Sequence, residues 1–178
     1  AALAFVAGGL GSAASAQDAA TPGAPPPQAQ QVVTETHGDW EIVCVNGEAP
    51  CAMRQVGMTE GQPILEMTLT RIAARQTERG TVESVLNIGT PLSVLLNRGV
   101  SIQVDAGEPV TGLFTFCRPD RCLLSEPVPN ALVDSFKRGA VAKVGFVLLQ
   151  GDRAAQVEVD ISLSGFTAAY NALPVQGG

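Results

Sequence analysis

The sequence predicts a mainly β fold: an antiparallel β-sandwich or barrel-like domain with two short helices and two local disulfides. Three observations carry this. Apolar and polar residues alternate along much of the chain, which is the period of a half-buried strand. Turn residues recur between these runs at spacings that leave no room for crossover helices, so neighbouring strands run antiparallel. Four cysteines fall as two near pairs, Cys44 with Cys51 and Cys117 with Cys122.

The chain begins with an uncharged run, AALAFVAGGLGSAASA, over residues 1–16. Its small, apolar composition and its ending, Ala14-Ser15-Ala16, match the hydrophobic region and cleavage site of a secretory signal peptide, truncated at its start. A membrane anchor fits less well, because a spanning helix needs about 20 apolar residues and this run is shorter and rich in Gly and Ser. Residues 17–35 read as a tether. Their first part, QDAATPGAPPPQAQQ, is dominated by Pro, Ala and Gln and holds no large apolar side chain. Such a segment cannot bury enough surface to offset chain entropy. A single β domain then spans 36–173, long enough to bury a core without outside help, and 174–178 form a tail.

Within the domain the strands are expected in this order. Trp40–Val45 and Ala52–Gly57 flank the Asn46-Gly47 turn. Leu65, Met67 and Leu69 alternate with Glu66, Thr68 and Thr70, and Thr81–Ile88 follows. Val100, Ile102 and Val104 alternate with polar residues between turns at Asn97-Arg98-Gly99 and at 105–109. Gly112–Cys117 and Cys122–Leu124 bracket a further reversal. Ala142–Gln150 contains the nearly all-apolar run Val144–Leu149, expected to be a central strand covered on both faces. After Gly151-Asp152-Arg153, the residues Val157, Val159, Ile161 and Leu163 alternate with Glu158, Asp160 and Ser162.

Two helices interrupt the pattern. Pro129–Arg138 places Leu132 with Phe136 and Ala131 with Ser135 at four-residue spacing, and it stops at Gly139. Ser164–Leu173 gathers Phe166, Ala169, Tyr170 and Leu173 on one face, with Ser164 as N-cap and Pro174 as terminator.

In an exported protein an even cysteine count points to disulfides. Of the three possible pairings, the local one is simplest, because each pair brackets a short turn: VNGEAP in the first, RPDR in the second. Closing loops this small stabilises by roughly 2–2.5 kcal/mol each in the chain-entropy model. A four-cysteine zinc site would show C-x₂₋₄-C knuckles, whereas the first gap here is six residues and the compartment of an exported protein is oxidising; a thioredoxin-like centre needs C-x-x-C, which is absent.

The charge pattern narrows the function classes. Net charge is −6 and the pI about 4.7. The densest basic spots are only Lys137-Arg138 and the pair Arg118 and Arg121. That argues against nucleic acid and against an electrostatic grip on anionic lipid. No segment after the leader is long and apolar enough to span a bilayer. His37 is the sole histidine and sits at the edge of the tether, so no catalytic triad or His-based metal site is marked. Asp39, beside Trp40, is the most tempting acid for a carboxylate pair, but a turn or capping hydrogen bond before the strand is the simpler role. Met53, Met58 and Met67 are spaced too irregularly for copper(I) capture and read as core. No catalytic, cofactor-binding or metal-binding residue is assigned.

With these residues placed, the chain resembles the invasion associated locus B family of α-proteobacterial envelope proteins. The likeness rests on Gly38-Asp39-Trp40 followed by Cys44, on Cys51 followed by Arg54-Gln55, and on Pro91 before a Leu-rich stretch and Gly99-Val100. It continues through Phe116-Cys117 with Cys122, and through Ser162-Leu163-Ser164-Gly165-Phe166 running into Ala169 and Leu173. The resemblance implies a periplasmic or secreted β domain of a virulence-related family without known enzymatic activity. It maps the four cysteines and the motif residues Gly38, Asp39, Trp40, Gly165 and Phe166 as structural elements only. The expected function is a non-enzymatic exported binding module for another protein or a surface glycan. The alternative is a periplasmic assembly factor or chaperone lending a sheet edge to a client. A hydrolase with a carboxylate pair stands third.

Overall fold

The computed structural model describes residues 30–176; the signal-peptide reading and most of the tether lie outside the described residues. Alternating side chains need a second layer to bury their apolar face, and the chain supplies it as two antiparallel sheets. The larger sheet contains β1 (Gln31–His37), β2 (Trp40–Val45), β3 (Glu48–Thr59), β4 (Gln62–Thr77) and β5 (Gly80–Thr90) as successive hairpins. The smaller contains β6 (Val100–Val104) and β7 (Val110–Gly112). The chain then returns to the larger sheet as β8 (Phe116–Cys117) and β9 (Cys122–Pro129). Helix α1 (Asn130–Arg138) leads to β10 (Val141–Gln150) and β11 (Arg153–Ser162), which complete the smaller sheet in the order β11-β10-β6-β7. Helix α2 (Phe166–Ala172) and a short parallel strand, β12 (Val175–Gln176) on β4, end the described chain.

The larger sheet runs β1-β2-β3-β4-β5-β9-β8, and neither sheet closes into a barrel. The fold is therefore the sandwich of the two expected forms. Its core draws Trp40, Met53, Leu69 and Ile88 from one sheet and Val100, Val144, Phe146 and Ile161 from the other. Phe136 of α1 and Phe166 of α2 join them, both fully buried.

The Asn46-Gly47 turn shows why these strands reverse where they do. Both residues have positive φ, 52° and 82°, the backbone of a two-residue hairpin turn whose twist matches that of its strands.

Several expectations change. Gly112–Cys117 is not one strand. It ends β7 in the smaller sheet, crosses at Leu113–Thr115 and restarts as β8 in the larger. An extended run carries no mark of a change of partner. Cys122–Leu124 lengthens to Cys122–Pro129 despite two prolines. Pro127 and Pro129 pair with β5 on one side only, since β8 reaches no further along β9 than Leu123; a strand tolerates proline on an open side. Val144, Phe146 and Val147 are buried as expected of a central strand, but Leu149 is 40% exposed. Met53 and Met67 are core, whereas Met58 is 51% exposed because it lies past the β3 bulge on the outer face. Strand β1 pairs residues that composition placed in the tether: Gln31, Val32 and Val33 register with Val45, Cys44 and Val43. Gln176, in the expected tail, donates its side-chain amide to the Cys51 carbonyl.

Candidate functional site

The motif residues from the two ends of the domain meet at one junction. Gly38 and Asp39 form the turn between β1 and β2, and Ser162–Gly165 form the link between β11 and α2. The Asp39 amide donates to the Ser164 carbonyl at 3.1 Å. The Asp39 carboxylate accepts the Ser162 hydroxyl at 2.6 Å. Trp40 inserts its ring into the core and donates its indole N–H to the Ser162 carbonyl at 3.0 Å. That carbonyl also accepts the Gln55 side-chain amide at 3.0 Å, and the same amide reaches the Asp39 carbonyl at 2.9 Å. A buried indole N–H needs such a partner.

Asp39 thus sits in the β1–β2 turn, but its hydrogen bonds run across the chain to Ser162 and Ser164 rather than within the turn. The Ser164 cap is likewise not formed: α2 begins after Gly165, which takes φ 83°, and no side chain caps it. Glycine is needed there for two reasons. Its φ is left-handed, and a Cβ would overlap the His37 carbonyl. Phe166 then packs edge-on to Trp40, with ring centroids 5.1 Å apart and planes at 88°. It also touches Phe136 at 5.4 Å and stacks on Tyr170 at 6.2 Å.

Beside the junction lies an open groove of about 470 Å³, lined by Asp39, Glu41, Arg54, Met58, Asp160 and Ser162 among others. Two of its three carboxylates are engaged. Glu41 accepts Arg54 at 2.6 Å, and Asp39 holds Ser162. His37 bonds Glu35 at 2.9 Å on β1, so no histidine enters the groove. Among the described residues no group of three or more His, Cys, Asp or Glu could hold a metal ion.

A second groove, of about 370 Å³, lies on the outer face of the larger sheet between Val56, Ile64, Pro91 and Arg121. Arg121 spans it, donating to Glu66 at 3.1 Å and to Asp120 at 2.8 Å. Gly89 leaves room for this, with the Arg121 side chain lying over it. The Arg121 hydrogen bond holds the Asp120 carboxyl below its ordinary value, and Asp120 in turn raises the guanidinium.

Both disulfides are the expected local ones. Cys44 and Cys51 face each other across β2 and β3, and Cys117 and Cys122 across β8 and β9. The sequence had marked Arg54 and Gln55 only as parts of a resemblance, Ser162 also as a polar strand position and Ser164 also as a helix N-cap. Their partners were not legible, because each bond depends on which strands lie alongside, and those to Ser162 and Ser164 join opposite ends of the domain.

The comparisons agree with this architecture. The family described as "Invasion associated locus B (IalB) protein" matches residues 40–174. The crystal structure of invasion associated protein b from Bartonella henselae superposes with a TM-score of 0.59 over 79% of this chain and 94% of that one. The two are 23% identical, so that likeness establishes the shared fold. No curated protein matches the chain.

Proposed function

The chain belongs to the invasion associated locus B family, and on that premise we propose that it is a non-enzymatic, exported binding module of the periplasm or cell surroundings. The observation that carries this reading is the family match over almost the whole folded part. The geometry supports it. The motif residues are spent on joining the two sheets, and two of the three carboxylates of the adjoining groove, Asp39 and Glu41, are bound to Ser162 and Arg54. Two disulfides suit an oxidising compartment. Among the described residues no helix is long and apolar enough to cross a membrane. The partner class is another protein or a surface glycan. Action at a host interface follows only the printed name of the Bartonella relative.

Crosslinking in living cells, followed by identification of what is captured, tests the proposal. Recovery of an envelope or extracellular partner supports it. A protein found only in the cytoplasm of fractionated cells overturns it. One observation favours an assembly factor as second reading: β1 is the edge of its sheet and pairs, among the described residues, only with β2. An exposed edge can accept a client strand. Capture of unfolded envelope clients through Gln31–His37 would distinguish that role.

A further inference from the structure

We propose that the Cys117–Cys122 disulfide is a thiol–disulfide exchange site for small-molecule thiols, while Cys44–Cys51 is purely structural. The two bonds share cross-strand geometry but differ in access. Cys44 and Cys51 are both buried, at 5% and 7% exposure. They sit on inner strands, with β1 registered alongside Cys44 and the Thr34 hydroxyl 3.6 Å from its sulfur. Burial of both residues, with β1 alongside Cys44, keeps a nucleophile from this bond in the folded domain.

Cys117 is exposed and lies in β8, a two-residue strand at the opposite edge of the sheet. Besides the disulfide, a short set of hydrogen bonds holds that strand, among them the Thr115 hydroxyl, which donates to the Ser125 carbonyl at 3.2 Å and accepts the Ser125 N–H at 3.0 Å. Its hairpin is closed by Arg118 N–H to the Arg121 carbonyl at 2.7 Å and Thr115 N–H to the Leu123 carbonyl at 2.7 Å. Cys122 is buried at 4%, so attack falls on the Cys117 sulfur. Arg118, next to it, lies over the Phe116 ring at 5.6 Å and carries a positive charge at the mouth of the ring closed by the bond. Such a charge draws in an anionic thiolate and eases departure of the leaving one.

The chemistry balances with a small thiol as reductant. Its thiolate bonds to the Cys117 sulfur, the S–S bond breaks, and Cys122 leaves with the electron pair and takes a proton from solvent. A second thiolate attacks the small-thiol sulfur of the mixed disulfide, and Cys117 leaves and is protonated. Two thiols become one oxidised disulfide, and the protein gains two thiols. Opening the bond loosens residues 113–121 and the Arg121 bridge to Glu66, while the sandwich stays closed by its core.

The test is graded reduction of the native protein with glutathione, quenching with a maleimide, and peptide mapping by mass. Trp40, fully buried beside Phe166, reports the fold by its emission. Labelling of Cys117 and Cys122 at roughly ten-fold lower glutathione than Cys44 and Cys51, with Trp40 emission unchanged, supports the proposal. Simultaneous opening of both bonds, prior opening of Cys44–Cys51, or opening only as Trp40 emission is lost overturns it. In the Arg118→Glu protein the rate with glutathione should fall several-fold; an unchanged rate overturns the role given to Arg118.

Discussion

Gly38 and Gly165 pack backbone against backbone, one from the first turn of the domain and one from the last link before α2. A Cβ on Gly38 would lie 2.6 Å from the Ser164 carbonyl oxygen, and one on Gly165 would overlap the His37 carbonyl. Neither neighbour is a flexible side-chain tip. The contact brings Asp39, Trp40, Ser162 and Phe166 together, so the two glycines set the geometry of the whole junction.

Gly165→Ala should therefore cost more than its φ alone explains. A left-handed alanine costs about 1–2 kcal/mol, and the backbone overlap adds to it. Gly47→Ala and Gly61→Ala are the controls, since φ is 82° and 77° there and a Cβ meets nothing within 4 Å. Urea unfolding followed by Trp40 emission measures all three. Equal losses would show that the close approach has no energetic weight.

The Asp39–Ser162 bond should show as coupling. Ser162→Ala and Asp39→Ala together should deviate from additivity by about 0.5–1.5 kcal/mol, the net value of one partly exposed hydrogen bond. A double-mutant cycle in urea reads this directly. Strict additivity would mean that the 2.6 Å contact contributes nothing to the junction.

Ser84 and Tyr170 make a buried polar pair, with hydroxyl oxygens 3.0 Å apart and residue exposures of 0% and 4%. Tyr170→Phe should cost about 1–3 kcal/mol, because the Ser84 hydroxyl is left without its partner away from water. Adding Ser84→Ala should recover part of that loss. Thermal unfolding of the two variants decides it; a double variant less stable than Tyr170→Phe alone would contradict the pairing.

Acidification should act on the Arg121 bridge. Asp120 is an aspartate whose folded value lies below the ordinary 3.8, chiefly because Arg121 donates to it. A lowered folded value means that the unfolded chain binds the proton first. The contribution is thus fully present above about pH 4 and is lost as pH falls through the lower folded value. Carboxyl carbon shifts in a pH titration should place Asp120 below 3.8, and Arg121→Gln should raise it.

The β alternation of Leu65–Leu69, Val100–Val104 and Val157–Leu163, the apolar face of α2 and the two disulfides were all legible in the sequence. Each depends on residues near one another in the chain, where the period of the side chains or the length of a turn carries the information. The splitting of Gly112–Cys117 between two sheets, the pairing of β1, and the exposure of Met58 were not, since each depends on which strand lies alongside. The junction belongs to the second kind. The sequence singled out Gly38, Asp39, Trp40, Gly165 and Phe166 as motif residues, yet it gave Asp39 a turn or capping bond and Ser164 an N-cap, both local. Only the tertiary structure turned them into one site, because a hydrogen bond between β2 and the β11–α2 link is decided by how the sheets stack and leaves no periodic trace along the chain.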